Sequence, residues 1–161
     1  MHLEKPISSV ENEYGNKVRV RACGICLVDN KVLLVNHQMY AGQDFWSPPG
    51  GGVHFGEKAA DAVVREIAEE TGLVVKVDTF LFTREFVNPP LHAIELFFRV
   101  SVTDGHILVG SDPEFTSGEQ IINQVAFLTL IQLNAIPEEA KHSIFAGISS
   151  WESMLAKGGL L

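Results

Sequence analysis

A mixed α/β domain of the α+β kind is what the hydrophobic pattern of this chain predicts. Two observations carry the prediction. Apolar runs bounded by turn residues, some alternating and some continuous, recur from Lys17 to Leu130, which is the mark of strands. Only two stretches keep a helical period, residues 58–71 in the middle and residues 138–156 near the end. With 161 residues, 46% hydrophobic and 20% charged, the chain fits one globular domain. Residues 1–16 read as a polar lead-in and 17–161 as the domain. The formal net charge of −8 and the lack of a Lys/Arg run argue against a DNA or membrane-surface partner. No apolar run reaches the ~18 residues of a membrane span, and the N-terminus lacks the regions of a secretion signal, so a cytoplasmic protein is expected.

Taken in order, Lys17–Leu27 alternates and then turns continuously apolar, a strand entering the core. Asp29-Asn30 is a turn, and Lys31–Val35 returns as its hairpin partner. His37–Asp44 reads as a polar loop, either a connection or a pocket rim with Tyr40 as a stacking surface. Phe45-Trp46-Ser47 is a short strand, with Trp46 as core packing. A helix follows from about Lys58 to Thr71, stopped by Gly72. Leu73–Phe86 is strand-like with a bend near Asp78-Thr79, Asn88-Pro89-Pro90 is a loop, and Ala93–Val102 is a strong strand. Asp104-Gly105 turns into a strand at Ile107–Val109, residues 110–120 form a loop, and Ile121–Leu130 is the last strand. Pro137-Glu138-Glu139 has the composition of a helix start, Pro at the first position and acids in the first turn. Cys23 and Cys26, three apart on a strand, point to opposite faces and read as ordinary buried thiols.

Chemistry concentrates between Trp46 and Leu73. On a helical wheel Ala60, Val63, Val64, Ile67 and Thr71 fall on one side, and Glu66, Glu69 and Glu70 on another. Like charges on adjacent turns repel, so the trio calls for a cation. Carboxylate oxygens are hard donors, suited to Mg2+ or Mn2+. Upstream, Pro49-Gly50-Gly51-Gly52 reads as a glycine-rich loop that can bring bare backbone close to a ligand, offering N–H groups to phosphate or carbonyls to a metal.

The string Gly51, Glu57, Arg65-Glu66-Ile67, Glu69-Glu70, Gly72-Leu73 resembles the signature box of the Nudix hydrolases at every fixed position. The resemblance implies an α/β/α sandwich around a mixed sheet, and metal-dependent hydrolysis of a pyrophosphate bond in a nucleoside diphosphate linked to another group X. Carried over residue by residue, it makes Glu66 and Glu70 metal ligands with the Gly50 carbonyl, and Glu69 a ligand or base. Arg65 would pair with a box glutamate, with Glu57 as partner. Gly51, Gly52, Tyr40, His92 and Glu119 are the residues expected to touch substrate, Tyr40 and His92 by their loop positions. The general base stays open between a box glutamate and the loop acids Glu114 and Glu119, since Asn123 and Gln124 stand where some members place a glutamate. His54 and Pro48 depart from residues usual in the family. Glu95, mid-strand, faces either the site or solvent. A nucleotide-binding sensor without turnover and an RNA 5′-end pyrophosphohydrolase are the competing readings. A small-molecule nucleotide or diphosphate is the expected partner, and a homodimer is an open assembly.

Overall fold

A computed structural model describes residues 13–38, 42–109 and 122–161; Tyr40, Glu114 and Glu119 lie outside them. The strands are β1 (Lys17–Val28), β2 (Lys31–Gln38), β3 (Asp44–Ser47), β4 (Gly50–Gly52), β5 (Leu73–Asn88), β6 (Leu91–Gly105) and β7 (Ile122–Thr129). The helices are α1 (Ala59–Thr71), α2 (Leu130–Ala135) and α3 (Trp151–Leu155). The seven strands form one mixed sheet in the order β3-β2-β1-β6-β5, with β4 added to β1 and β7 to β2.

The sheet forks at β1. Its last residues, Leu27 and Val28, pair with β2 through a hairpin whose turn, Asp29-Asn30, takes positive φ at both positions. Its first ten residues run parallel to β6, and Arg21–Cys23 pair antiparallel with β4. One branch is therefore β4-β1-β6-β5 and the other β3-β2-β7, with a cleft where they diverge.

Alternation divides the core between the two faces. Ala22 and Cys26 pack with Ala62, Val63 and Ile67 of α1. Cys23 and Ile25 pack on the other face with Phe82, Phe97, Leu133, Phe145 and Trp151. The two thiols are free, buried and on opposite faces. Gly72 ends α1 with φ of 76° and an N–H returned to the Ala68 carbonyl.

Several expectations are corrected. Gly50–Gly52 is a short strand on β1 and not an open loop. β2 continues through His37 and Gln38, which pair with Phe45 and Asp44. Ile107–Val109 forms no strand; Leu108 N–H turns back to the Thr71 carbonyl instead. The last strand stops at Thr129 because Thr129 and Gln132 cap α2 reciprocally. The stretch 138–156, expected to supply one or two helices, holds one short α-helix at its end and is otherwise irregular. It contains single 3₁₀ turns at Glu138–Ala140 and Ser143–Phe145, and then α3. Lys141 bridges to Trp46 in strand fashion, His142 N–H donates to the Trp46 carbonyl, and Gly147 takes φ of 65°; each is incompatible with a continuous helix.

Candidate active site

A cavity of about 480 Å³ occupies the cleft. Arg19 and Arg21 of β1, Arg84 of β5 and Glu95 of β6 line it from the sheet. Glu66 and Glu70 of α1 line it beside Gly50 and Gly51. Lys141 and His142 close it from the C-terminal segment, and His37 and Phe45 stand on the β2–β3 side.

Helix α1 packs on the sheet face opposite the one that carries Arg21 and Cys23, yet two of its carboxylates reach the cavity. The side-chain-less β4 permits this. An added Cβ at Gly51 would lie 2.4 Å from the Glu66 Cδ, so the carboxylate rests where a side chain would stand. Glu70 Oε2 accepts the Gly50 N–H at 3.1 Å. Glu66 and Glu70 are 4% and 2% exposed. The wheel's separate acidic face is thus divided: Glu66 and Glu70 are buried beside Ile67, while the side chain of Glu69 is 32% exposed.

Arg65 ties the acids together. Its Nε and Nη2 hold Glu57 as a fork at 2.8 and 3.1 Å. Nη1 reaches Glu66 at 2.8 Å and Glu69 at 3.2 Å, and Nη2 also reaches the Gly52 carbonyl at 3.0 Å. The Arg65 hydrogen bonds, with the His54 backbone N–H, pull the Glu57 carboxyl down to about 2. Glu57 also lies at the start of α1, where its charge suits the helix dipole. His54 is exposed, and His92 lines the cavity with Nε2 2.9 Å from Glu85 Oε1.

On the far wall, burial opposes ionisation of Glu95, but the His142 hydrogen bond and the Arg21, His142 and Arg84 charges outweigh it and hold its carboxyl at about 2. Glu95 is 3% exposed, so the cavity-facing reading of this strand charge is the one observed. Burial, then the Arg21 charge, lowers His37 to about 4, and burial raises the Cys23 thiol to about 12. His142 and Lys141 were not legible as site residues, because their segment reads as helix and their neighbours in space lie far off in sequence.

Among the described residues, the Asp, Glu, His and Cys side chains do not form a ready-made group of three metal ligands. The donor chemistry nonetheless fits a hard cation. Two buried carboxylates flank a glycine strand, and one arginine, Arg65, serves Glu57, Glu66 and Glu69 together. Among the described residues the side-chain donor to the Gly50 carbonyl is Arg21 at a long 3.4 Å, which leaves the oxygen able to accept another partner.

Helix carboxylates that pass a glycine strand face arginines across the cleft of an α+β domain. The chain belongs to the Nudix family: the NUDIX domain matches residues 18–146. Members of that family depend on divalent metal ions. The chain is 38% identical over 91 residues to an ADP-ribose pyrophosphatase of Methanocaldococcus jannaschii, covering 55% of this chain and 54% of that protein. It is 32% identical over 98 residues to the uncharacterized Nudix hydrolase YvcI of Bacillus subtilis, covering 61% and 51%. The chain thus spans about half the length of these relatives. A MutT NUDIX hydrolase from Burkholderia pseudomallei shares the fold with a TM-score of 0.64 at 21% identity, over 79% of this chain and 92% of that one. A UDP-X diphosphatase does so with a TM-score of 0.62 at 22% identity, over 98% and 71%.

Proposed function

We propose that the protein hydrolyses the pyrophosphate bond of a nucleoside diphosphate linked to another group X, with Mg2+ or Mn2+ as cofactor. One observation carries the reading: Glu66 and Glu70 are buried on the cavity wall beside Gly50 and Gly51, which puts two hard oxygen donors at one edge of a cleft whose other wall carries arginines. Glu66, Glu70 and the Gly50 carbonyl would hold the cation, with Glu69 at its edge. A cation bound there supplies charge for the phosphate oxygens and acidity for water.

The remaining work falls to the chain. Arg65 fixes the rotamers of Glu66 and Glu69, because a guanidinium fork spent on three carboxylates cannot swing. Glu69 gives one oxygen to Arg65, and its other oxygen has no hydrogen bond within the described residues, so it can take a proton from the attacking water. The Gly51 and Gly52 backbone and His92 stand at the substrate, with Tyr40 as the stacking surface its loop suggests and Glu119 as a further contact. ADP-ribose is the first substrate to test, since it appears in the name of the Methanocaldococcus jannaschii relative. Glu70→Gln removes one anionic ligand and keeps the Gly50 N–H bond. We expect kcat on ADP-ribose to fall by more than about 100-fold, beyond the usual cost of losing a group that merely supports a ligand, with the melting temperature unchanged. A panel of nucleoside diphosphate derivatives that yields no phosphate product with either metal would refute the reading.

A further inference from the structure

Sheet register places Arg21 of β1 opposite Glu95 of β6, and Glu95 opposite Arg84 of β5. Residues opposite one another on adjacent strands share a face, so Arg–Glu–Arg forms one row on the cavity side. Glu95 Oε2 accepts from Arg21 Nη1 at 3.3 Å, and Oε1 accepts from Arg84 Nη1 at 3.4 Å. His142 Nε2 stands 3.2 Å from both oxygens. Because His142 Nδ1 accepts the Ile144 N–H, the ring proton sits on Nε2 and is donated to Glu95.

The carboxylate is fully engaged, but the arginines are not. Among the described residues Arg21 Nε is buried with no hydrogen-bond partner, and the guanidinium's contacts to Glu95 and the Gly50 carbonyl are long, at 3.3 and 3.4 Å. Among the described residues Arg84 hydrogen-bonds only Glu95, with its guanidinium 5.6 Å from the Phe86 ring centroid. One carboxylate shared by two guanidinium groups leaves an excess positive charge on this wall. Both guanidinium groups stay partly open to the cavity, with side chains 27% and 20% exposed, and keep N–H donors without acceptors among the described residues, so the row is set for an anion. Planar N–H forks match the oxygens of a phosphate. Arg21 also touches Gly50, so an anion held by the row lies next to one held at Glu66 and Glu70.

We infer that Arg21 and Arg84 clamp the second phosphate of the substrate, and that Glu95, braced by His142 from the C-terminal segment, is the positioning residue that sets the clamp. This rests on the diphosphate reading above. Glu95 itself has no oxygen left for substrate, so it acts through the arginines.

The test is calorimetric titration of the full chain with α,β-methylene-ADP, whose diphosphate cannot be hydrolysed, in EDTA and in magnesium. Arg84→Ala and Glu95→Gln should each weaken binding about tenfold or more in both buffers, the scale of a lost charge-assisted bond, and Arg84→Lys should recover part of the loss. Glu70→Gln should weaken binding in magnesium only. With ADP-ribose, Glu95→Gln should raise KM by a similar factor and leave kcat within about threefold, the split expected when an interaction common to ground and transition states is lost. Wild-type affinity in Arg84→Ala overturns the proposal whether or not Glu95→Gln folds. So does a fall in kcat at constant KM, or a wild type that binds the analogue in neither buffer. Binding through the arginines without turnover of any substrate would sustain the clamp and refute the hydrolase reading.

Discussion

Gly50 and Gly51 are neighbours with different reasons for being glycine. A Cβ at Gly51 would strike the Glu66 carboxylate, the far end of a side chain. A Cβ at Gly50 would lie 2.4 Å from the Ala22 carbonyl oxygen and 2.6 Å from the Cys23 Cα, which are backbone and cannot yield. Gly51→Ala should therefore displace Glu66 and lower kcat by about 100-fold, the usual cost of an ångström of misplacement, while the melting temperature holds. Gly50→Ala should cost about 1–3 kcal/mol of stability by overpacking. Paired denaturation and activity measurements check both, and equal loss of stability in the two variants would remove the distinction. At this scale the sequence was partly readable. Arg65 and Glu57 lie eight residues apart and could be paired from the motif. Glu95 and His142 lie 47 apart, and alternation along β6 says which residues share a face without saying which face meets a cavity.

Helix α1 sits close on β1 because Gly24 has no side chain. A Cβ there would lie 2.6 Å from Ile67 Cδ1, 3.2 Å from Val63 Cγ2 and 3.3 Å from Val100 Cγ2. Gly24→Ala should push α1 off the sheet, costing about 1–3 kcal/mol, and should also reduce activity, since Glu66 and Glu70 ride on the same helix. A urea titration and a turnover assay on the variant would show both losses, and a variant of unchanged stability would contradict this packing account. The helix was legible because a 3.6-residue apolar period, an acid near its start and Gly72 at its stop agree. The C-terminal segment was not, because its apolar residues suit a helix locally while its backbone is recruited by β3. Trp46 pairs with Lys141 across 95 positions, and a pairing that distant leaves no periodic signal. The glycine strand was misread for a related reason: β4 has no side chains to alternate, and only its partner β1 makes it a strand.

At the scale of the whole molecule, three groups among the described residues titrate below their ordinary values, and each contributes to how stability responds to acid. His37 is held near 4 against 6.5, chiefly by burial. The unfolded chain protonates it first, so stability falls as pH drops from about 6.5 and the loss is complete near 4. Glu57 and Glu95 are held near 2 against 4.5. Their contribution is fully present above about 4.5 and is lost as pH falls through 2, because only the folded state favours their charged forms. Stability should thus be level between pH 7 and about 8, below the ordinary thiol value of 9.0, decline once between 6.5 and 4, and decline again between 4.5 and 2. The two steps have separate owners, His37 for the first and Glu57 with Glu95 for the second. His37→Gln should abolish the first decline and leave the second. Glu57→Gln should lower stability at neutral pH and shrink the second decline alone, since it removes a group that gains from being charged. Urea midpoints taken at pH 7.5, 5 and 3 on the three proteins decide the matter, and a His37→Gln profile that still declines between 6.5 and 4 as the parent does would show that another group owns the first step.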